Sequence, residues 1–305
     1  MNDSSPAAYR AAEARLWQQY DLAPTEHFLR LPGLNTTVRV LEIGTGEPVL
    51  FVHGSPNAAP KWAPLVAQLA GTRCLLLDRP GCGLSAPVDY RGRDVRAFGA
   101  DLLAQTLDAL GLEQADVVAS SLGGALAFFF AQAHPARVRR LVQEGCPAFV
   151  NGFHVPAYNL MSTVLGLLFG TNPPSRAAFR HIGHAHSIDN GTIAEGVLQW
   201  RDALLRHTDT LRNENGLNRN IARHGRAYRY GPELLGQLAM PTLYLWGEDD
   251  PFGGAEVARR AAAAQPNAEL HLFPHAGHLP WLDDPAAHGR LLRAFLQPTV
   301  AEVHP

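Results

Sequence analysis

Short strand-like runs alternate with helix-like segments along two parts of this 305-residue chain. An uninterrupted apolar run, such as P-V-L-F-V at residues 48–52, is typical of a strand that is buried on both faces of a sheet. Segments between the runs are helix-like: residues 94–110 are amphipathic, and residues 61–70 are a further helix candidate. The alternation predicts an α/β fold, with a mostly parallel sheet and helices on both faces. The strand-like runs are residues 48–52, 74–77, 116–118, 138–142, 241–246 and 268–273.

The alternation is interrupted once and preceded by a different pattern. Residues 27–31 and 36–43 flank P-G-L-N, which predicts a hairpin after a surface helix at residues 7–20. Residues 145–236 carry no strong strand signal and consist of helix-like pieces broken by glycine and proline. We therefore predict a core of residues 1–145 and 236–305 with a helical cap inserted at residues 146–235.

The composition favours an ordinary globular protein. The chain is 46% hydrophobic and 18% charged, and its net charge of −2 gives no indication of nucleic-acid binding. Three cysteines without C-x-x-C spacing suggest neither a disulfide framework nor a zinc site, so the cytoplasm is the expected location. We read no signal peptide and no membrane span. We expect a small-molecule substrate, and the sequence leaves room for a homodimer.

One turn between a predicted strand and a predicted helix has the composition of a nucleophile elbow. The segment A-S-S-L-G-G at residues 119–124 places Ser121 two residues after Ala119 and two before Gly123. Small residues are needed there because the turn brings the strand and helix backbones very close. Ala119 replaces the more usual glycine, and it fits by size if its φ stays negative.

The neighbouring serine is the weaker candidate. Ser120 has Val118 two residues before it and Leu122 two after it, and both side chains are too large for an elbow. Ser121 is therefore the predicted nucleophile, although by itself the segment also suits an ordinary Ser/Gly loop.

A serine hydroxyl needs a base within hydrogen-bond reach, and the base needs an orienting group. The loop after the run 268–273 carries His275 and His278, and Gly277 lets the chain turn the second ring toward a site. His278 is therefore the preferred base.

The orienting acid is expected at the end of another strand. W-G-E-D-D-P at residues 246–251 follows the run 241–246, and Asp250 lies deepest in this loop. Asp249 and Glu144, the latter just beyond the run 138–142, stay open as alternatives.

Taken together, five segments resemble the α/β-hydrolase fold of the capped kind, over residues 26–145 and 236–297. Their order of Ser, Asp and His is the order of that fold. The resemblance implies Ser121 as nucleophile, His278 as base, Asp250 as its orienter, and the backbone N–H groups of Ser55 and Leu122 as the oxyanion hole. The segments are H-G-S-P at 53–56, D-R-P-G-C-G-L-S at 78–85, A-S-S-L-G-G at 119–124, W-G-E-D-D-P at 246–251 and A-G-H at 276–278.

The resemblance implies a hydrolase without cofactor or metal. A serine at the elbow argues against haloalkane dehalogenases and epoxide hydrolases, which place an aspartate there. We expect a serine hydrolase, working through an acyl-enzyme or tetrahedral intermediate, that acts on a small, mostly apolar ester, lactone or related carbonyl compound. The alternatives are a C–C bond hydrolase of aromatic ring-fission products, a perhydrolase, a hydroxynitrile lyase, and a receptor-like binding protein.

Two features of the predicted cap are less specific. His181, His184 and His186 form an H-x-x-H-x-H pattern that could hold a metal, but no acid completes it at convincing spacing, so polar cap residues are the simpler interpretation. Residues 149–169 are largely apolar, and we expect them to pack over Ser121 and line a hydrophobic pocket. His53 is expected to brace its loop rather than to touch substrate.

Overall fold

The computed structural model describes residues 5–169 and 173–297, without the side chains of residues 5, 163 and 165–169. Eight strands form one sheet. They are Thr25–Leu31 (β1), Thr36–Ile43 (β2), Pro48–Val52 (β3), Arg73–Asp78 (β4), Ala115–Ser120 (β5), Val138–Glu144 (β6), Thr242–Gly247 (β7) and Ala268–Phe273 (β8).

The sheet is mostly parallel, as the alternation predicts. Its strand order is β1-β2-β4-β3-β5-β6-β7-β8, and only β2 pairs in the antiparallel sense, with β1 and with β4. The predicted hairpin of β1 and β2 is confirmed, and a 3₁₀ turn at Pro32–Leu34 closes it. The predicted fold class is confirmed.

Twelve helices occur in the described residues. They are Ser5–Gln19 (α1), Ala63–Val66 (α2), Val95–Ala109 (α3), Leu122–Ala133 (α4), Ala157–Phe169 (α5), Ser175–Phe179 (α6), Ala185–Asp189 (α7), Glu195–His207 (α8), Thr210–His224 (α9), Pro232–Leu235 (α10), Ala255–Ala264 (α11) and Pro285–Leu296 (α12).

One predicted helix is shorter than the sequence suggests. The helix expected at residues 61–70 is reduced to α2, after a 3₁₀ turn at Ala59–Trp62. Beyond α2 the chain tightens into three-residue turns, because Gln68 N donates to Leu65 O at 2.9 Å and Leu69 N donates to Val66 O at 2.9 Å.

The central strand β5 contributes to two hydrophobic cores, one on each face of the sheet. Val117 packs in the core that contains Phe128 of α4, whereas Val118 packs in the core that contains Trp62. Successive strand residues point to opposite faces, so a strand with helices on both sides must be apolar throughout its length. This requirement explains the uninterrupted apolar run of β3 and the complete burial of β5.

Helices α5 to α10 follow β6 and precede β7. An isolated bridge between Val150 and Tyr230 joins the two ends of this helical segment. Glu214 of α9 forms an ion pair with Arg79, which follows β4, with 2.6 Å between Oε1 and Nη2. The division of the chain into a core and a cap with the predicted boundaries stays a prediction.

Candidate active site

The backbone at Ser121 has the strained geometry of an elbow. Its φ of 54° and ψ of −122° lie in a region that residues with a side chain rarely adopt. A Cβ added at Gly123 would lie 2.2 Å from Val52 O, and one at Gly54 would lie 2.7 Å from the Ser121 Cβ. The neighbouring backbones therefore approach as closely as the small residues of the pattern predict.

The two adjacent serines face different surroundings. Ser121 is partly exposed and lines a cavity of about 230 Å³. Ser120 is completely buried, and its Oγ accepts a hydrogen bond of 2.7 Å from Lys61 Nζ. Ala119, in place of the usual glycine, is buried within β5.

His278 and Asp250 are in direct contact. His278 Nδ1 lies 2.9 Å from Asp250 Oδ2, and both residues are buried. Asp250 Oδ2 also accepts a hydrogen bond from Cys146 N, and Oδ1 accepts one from Phe252 N, both at 2.9 Å. A proton on Nδ1 that is held by the carboxylate leaves Nε2 free to act as a base. His278 lines the same cavity as Ser121.

The other candidates lie apart from this pair. Asp249 and His275 are exposed. Glu144 is completely buried, but its Oε2 lies 3.0 Å from Nδ1 of a different histidine, His288. Of the acids that the sequence left open, Asp250 is the one that contacts His278.

The predicted oxyanion donors surround the Ser121 side of the cavity. Ser55 and Leu122 both line it. Leu122 is the first residue of α4, where a backbone N–H has no partner within its own helix and where the helix dipole favours negative charge.

His53 braces the loop that carries Ser55, as expected. Its Nδ1 donates to Gly54 O at 2.7 Å, and its Nε2 accepts a hydrogen bond of 3.0 Å from Arg79 N. Burial, and secondarily the charge of Arg79, hold the pKa of His53 well below the usual value. A neutral ring can accept at Nε2 while it donates at Nδ1, as this geometry requires.

Arg79 is a supporting residue that sequence reasoning missed. Its Nε donates to His53 O at 2.9 Å and its Nη2 donates to Gly54 O at 3.0 Å, while the Glu214 carboxylate balances its charge. The D-R-P-G segment contained the signal, but its partner on α9 is 135 residues away in the chain.

The cavity has an aromatic side formed by residues of the predicted cap together with Phe252 of the predicted core. The Phe252 ring lies 4.1 Å from the His278 ring and stacks on Phe153 at 5.9 Å between centroids. Phe149 follows at 6.3 Å from Phe153. Ile221 of α9 completes this apolar surface and also lines the cavity.

The apolar run at residues 149–169 divides between the cavity and the surface. Phe149, Phe153 and Tyr158 line the cavity, whereas Leu160 and Met161 of α5 are exposed. The cavity-lining residues of the run extend to Ser162, and the side chains of residues 165–169 lie outside the described set.

A second side of the cavity carries two buried cationic side chains that sequence reasoning missed, Lys61 and Arg201. Arg201 Nη1 donates to Ser175 Oγ at 3.1 Å, and its guanidinium lies 5.3 Å from the centroid of the Phe179 ring. In residues 5–169 and 173–297 no carboxylate forms a direct ion pair with it; Asp202 is linked to it only through Ser175, whose Oγ donates to Asp202 Oδ1 at 2.6 Å, and the charge of Asp202 opposes the lowering of the Arg201 pKa. Desolvation lowers the pKa of Arg201 to about 10.

The three histidines of the predicted cap do not converge. His184 is buried, with its Nδ1 2.8 Å from Asp283 Oδ2, and its Nε2 accepts a hydrogen bond of 3.1 Å from Leu279 N. His181 stacks on Tyr158 at 3.6 Å between ring centroids. No group of three or more His, Cys, Asp or Glu residues suited to a metal occurs in the described part of the chain. His184 instead supports the loop that carries His278.

No helix in the described ranges is both long and apolar enough to cross a membrane.

A family model of the α/β hydrolase fold matches residues 47–285. This chain belongs to that family. The α/β hydrolase is 31% identical over 285 residues to a 2-hydroxy-6-oxononadienedioate/2-hydroxy-6-oxononatrienedioate hydrolase of Cupriavidus pinatubonensis, covering 90% of this chain and 96% of the relative. It is 30% identical over 275 residues to a 2-hydroxy-6-oxo-6-phenylhexa-2,4-dienoate hydrolase of Burkholderia cepacia, covering 86% and 92%.

Among solved structures, the α/β hydrolase is similar to the naproxen esterase of Bacillus subtilis. The TM-score is 0.77 at 22% identity, over 97% of this chain and 99% of that one, a likeness that concerns the fold alone. The family membership and the named relatives confirm that the chain is an enzyme of the hydrolase class, rather than a receptor-like binding protein.

Proposed function

We propose that this α/β hydrolase cleaves a carbon–carbon bond in a 2-hydroxy-6-oxo-dienoate that carries an apolar group on C6. Ser121 is the nucleophile, His278 the base and Asp250 the residue that orients it. The observation that carries the proposal is the buried guanidinium of Arg201 in the same cavity as Ser121.

Arg201 distinguishes this substrate class from a simple ester. Burial of a cation without a carboxylate partner is unfavourable, and a bound carboxylate would compensate it. The planar guanidinium matches a carboxylate with two parallel hydrogen bonds. A mostly apolar ester offers no such group, so the C–C bond hydrolase alternative accounts for Arg201 better than the ester hydrolase does.

The aromatic side of the cavity favours an apolar group at the other end of the substrate. Phe149, Phe153, Phe252 and Ile221 offer no charged partner. The Burkholderia cepacia relative is named for a 6-phenyl substrate, whereas the Cupriavidus pinatubonensis relative is named for substrates with a second carboxylate. We propose that the substrate carries an aryl or alkyl group on C6, as the substrate named for the Burkholderia cepacia relative does.

The triad would begin the reaction in the usual way of serine hydrolases. Once the dienol is in its diketo form, Ser121 Oγ attacks the C6 carbonyl while His278 Nε2 takes its proton, and Asp250 stabilises the imidazolium. The N–H groups of Ser55 and Leu122 would hold the oxyanion.

The second step breaks the bond between C5 and C6. Its electron pair moves onto C5 and through the conjugated C3–C4 double bond to the oxygen on C2, which becomes a dienolate. Protonation gives 2-hydroxypenta-2,4-dienoate. Water then attacks the acyl group left on Ser121, with His278 again as base, and releases a carboxylic acid.

The first test uses covalent labelling and product analysis. A fluorophosphonate probe should add once to the wild type and to Ser120→Ala, but not to Ser121→Ala, as read by intact mass. 2-Hydroxy-6-oxo-6-phenylhexa-2,4-dienoate should yield benzoate and the dienoate product. Activity of Ser121→Ala should fall by several orders of magnitude, up to ~10⁶. Labelling at Ser120, or mandelonitrile cleavage without C–C cleavage, would contradict the proposal.

The second test isolates Arg201. Arg201→Met should raise KM for the dienoate on the order of 10–100-fold, because a hydrogen bond to a charged group is lost, and should leave p-nitrophenyl butyrate hydrolysis nearly unchanged. Arg206 is exposed on the same helix, so Arg206→Met is the matched control. An equal loss on both substrates would reject the carboxylate site.

Three further sequence-based expectations stay predictions: the cytoplasmic location, the homodimer, and the perhydrolase variant of the same chemistry.

A further inference from the structure

Lys61 is a buried amine at the cavity that the proposed triad does not use. It lies in the 3₁₀ turn Ala59–Trp62, shortly after the H-G-S-P loop, and only 4% of its surface is exposed. Its Nζ donates to Ser120 Oγ at 2.7 Å and lies 4.7 Å from the ring centroids of both Trp62 and Trp281. Lys61 lines the same cavity as Ser121 and Arg201.

Across the described residues, Lys61 is not paired with a carboxylate. No carboxylate oxygen within the described ranges lies within 4.0 Å of Nζ, and Glu144 is beside His288 instead. Burial and then the charge of Arg79 lower the pKa of Lys61 well below its usual value; Glu144 opposes this shift and Arg201 adds to it. Among the residues that the structure describes, Nζ donates one hydrogen bond, to Ser120 Oγ, so the amine can still donate to a ligand in the cavity.

We propose that Lys61 is a catalytic residue that binds the oxygen on C2 of the substrate, next to the carboxylate held by Arg201. This inference rests on the proposed function and names the group that takes up charge during the reaction. A guanidinium presents a fork suited to the two oxygens of a carboxylate, whereas a lysine Nζ is a point donor suited to a single oxygen. A 2-oxo acid presents these two groups side by side.

The proposed contact would be stronger in the transition state than in the ground state. When the bond between C5 and C6 breaks, its electron pair ends on the C2 oxygen, and Lys61 Nζ–H donates to the oxygen as it becomes negative. Interactions that strengthen with developing charge accelerate the chemical step. An ester places no oxygen at this position, so its hydrolysis does not need Lys61.

The first experiment measures binding without C–C cleavage. 2-Oxopentanoate and pentanoate are tested as competitive inhibitors of p-nitrophenyl butyrate hydrolysis. The wild type should bind the oxo acid about 10-fold more tightly, since one hydrogen bond is added. Lys61→Met should lose this difference, and Ser120→Ala should retain it. No difference in the wild type, or an unchanged difference in Lys61→Met, would overturn the inference.

The second experiment measures turnover. Lys61→Met should lower kcat for the phenyl dienoate by about 100-fold, the order expected for removing one donor to a developing oxyanion, while ester hydrolysis stays within a few-fold of wild type. Lys61→Gln keeps an N–H donor, so its kcat for the phenyl dienoate should lie between those of the wild type and Lys61→Met. An equal loss on ester and dienoate, reproduced by Ser120→Ala, would mean that Lys61 only supports the elbow, and would overturn the inference.

The two proposals can fail separately. If Arg201→Met still binds both acids like the wild type, the carboxylate site of the proposed function is wrong. The comparison of the wild type with Lys61→Met still decides the role of Lys61, because it depends on the 2-oxo group alone.

Discussion

His278 Nδ1 lies 2.9 Å from Asp250 Oδ2, and two backbone N–H groups fix the same carboxylate. This contact holds the imidazole in the tautomer that a general base needs. We expect Asp250→Asn to lower kcat by about 10⁴ with little change in KM, because the amide can donate to Nδ1 and favour the wrong tautomer. Steady-state hydrolysis of p-nitrophenyl butyrate measures the effect.

Glu144→Gln is the matched control for that experiment. Glu144 is as buried as Asp250 but lies beside His288. Its substitution should lower thermal stability and leave the kcat of the folded enzyme within a few-fold. A benign Asp250→Asn together with an inactive but folded Glu144→Gln would reverse the assignment of the acid.

Gly54→Ala tests the close approach between the H-G-S-P loop and the elbow. The added Cβ would lie 2.7 Å from the Ser121 Cβ and 3.1 Å from Ser120 O, so one of the two loops must move. Because small misplacements near a nucleophile have large effects, we expect a loss of about 10²-fold in kcat/KM, together with overpacking of about 1–3 kcal/mol. Gly231→Ala is the control, since a Cβ there meets no atom within 4 Å. Similar activity of both variants would show that the elbow tolerates the shift.

Glu214→Gln tests the ion pair between α9 and the loop after β4. Glu214 and Arg79 are each 1% exposed, so loss of the carboxylate leaves a buried cation without its partner. We expect the free energy of unfolding to fall by about 3–5 kcal/mol, measured by urea denaturation.

The exposed pair of Arg212 in α9 and Asp209, the residue just before α9, provides the comparison. Asp209→Asn should change stability by about 0–1 kcal/mol. If Glu214→Gln is as mild as this surface substitution, the buried pair does not hold α9 to the loop.

The three cysteines should be unreactive in the native protein. All are buried, and burial raises the pKa of Cys74 to about 12 and those of Cys82 and Cys146 well above their usual range. At pH 8 we expect negligible reaction with Ellman's reagent in buffer and three thiols in guanidinium chloride.

The raised thiol pKa values also predict how the free energy of unfolding changes with pH. The folded state keeps its thiol protons above the unfolded pKa of about 8.5, so their contribution is complete below that pH and is lost as the pH rises from about 8.5 toward 12. Rapid labelling of a thiol in the native protein would contradict the burial of these side chains. So would a free energy of unfolding that is larger at pH 10 than at pH 7.5 with all other conditions held constant.

Local patterns in the sequence were sufficient for the sheet and for the position of the elbow. Strand burial on two faces demands apolar runs, and the crowded turn demands small residues around Ser121, so both leave a signature within about ten residues. The helix after Ala59–Trp62 was predicted too long because a short Ala-rich segment does not reveal where three-residue turns replace helical hydrogen bonds.

The environment of the site could not be predicted in this way. Position in the chain favoured Asp250 but left Asp249 and Glu144 open, and only the folded chain places Asp250 beside His278. Lys61 and Arg201 have no motif around them, since a buried cation is recognised by what surrounds it. They are separated by 140 positions in the chain, and only the folded chain, in which α8 packs against α1, α6 and α9, brings both to the cavity of Ser121. The sequence thus determined the fold and the position of the turn at Ser121, because these depend on neighbours in the chain. Tertiary structure decided which acid contacts His278 and which basic side chains line the pocket, because these depend on neighbours in space.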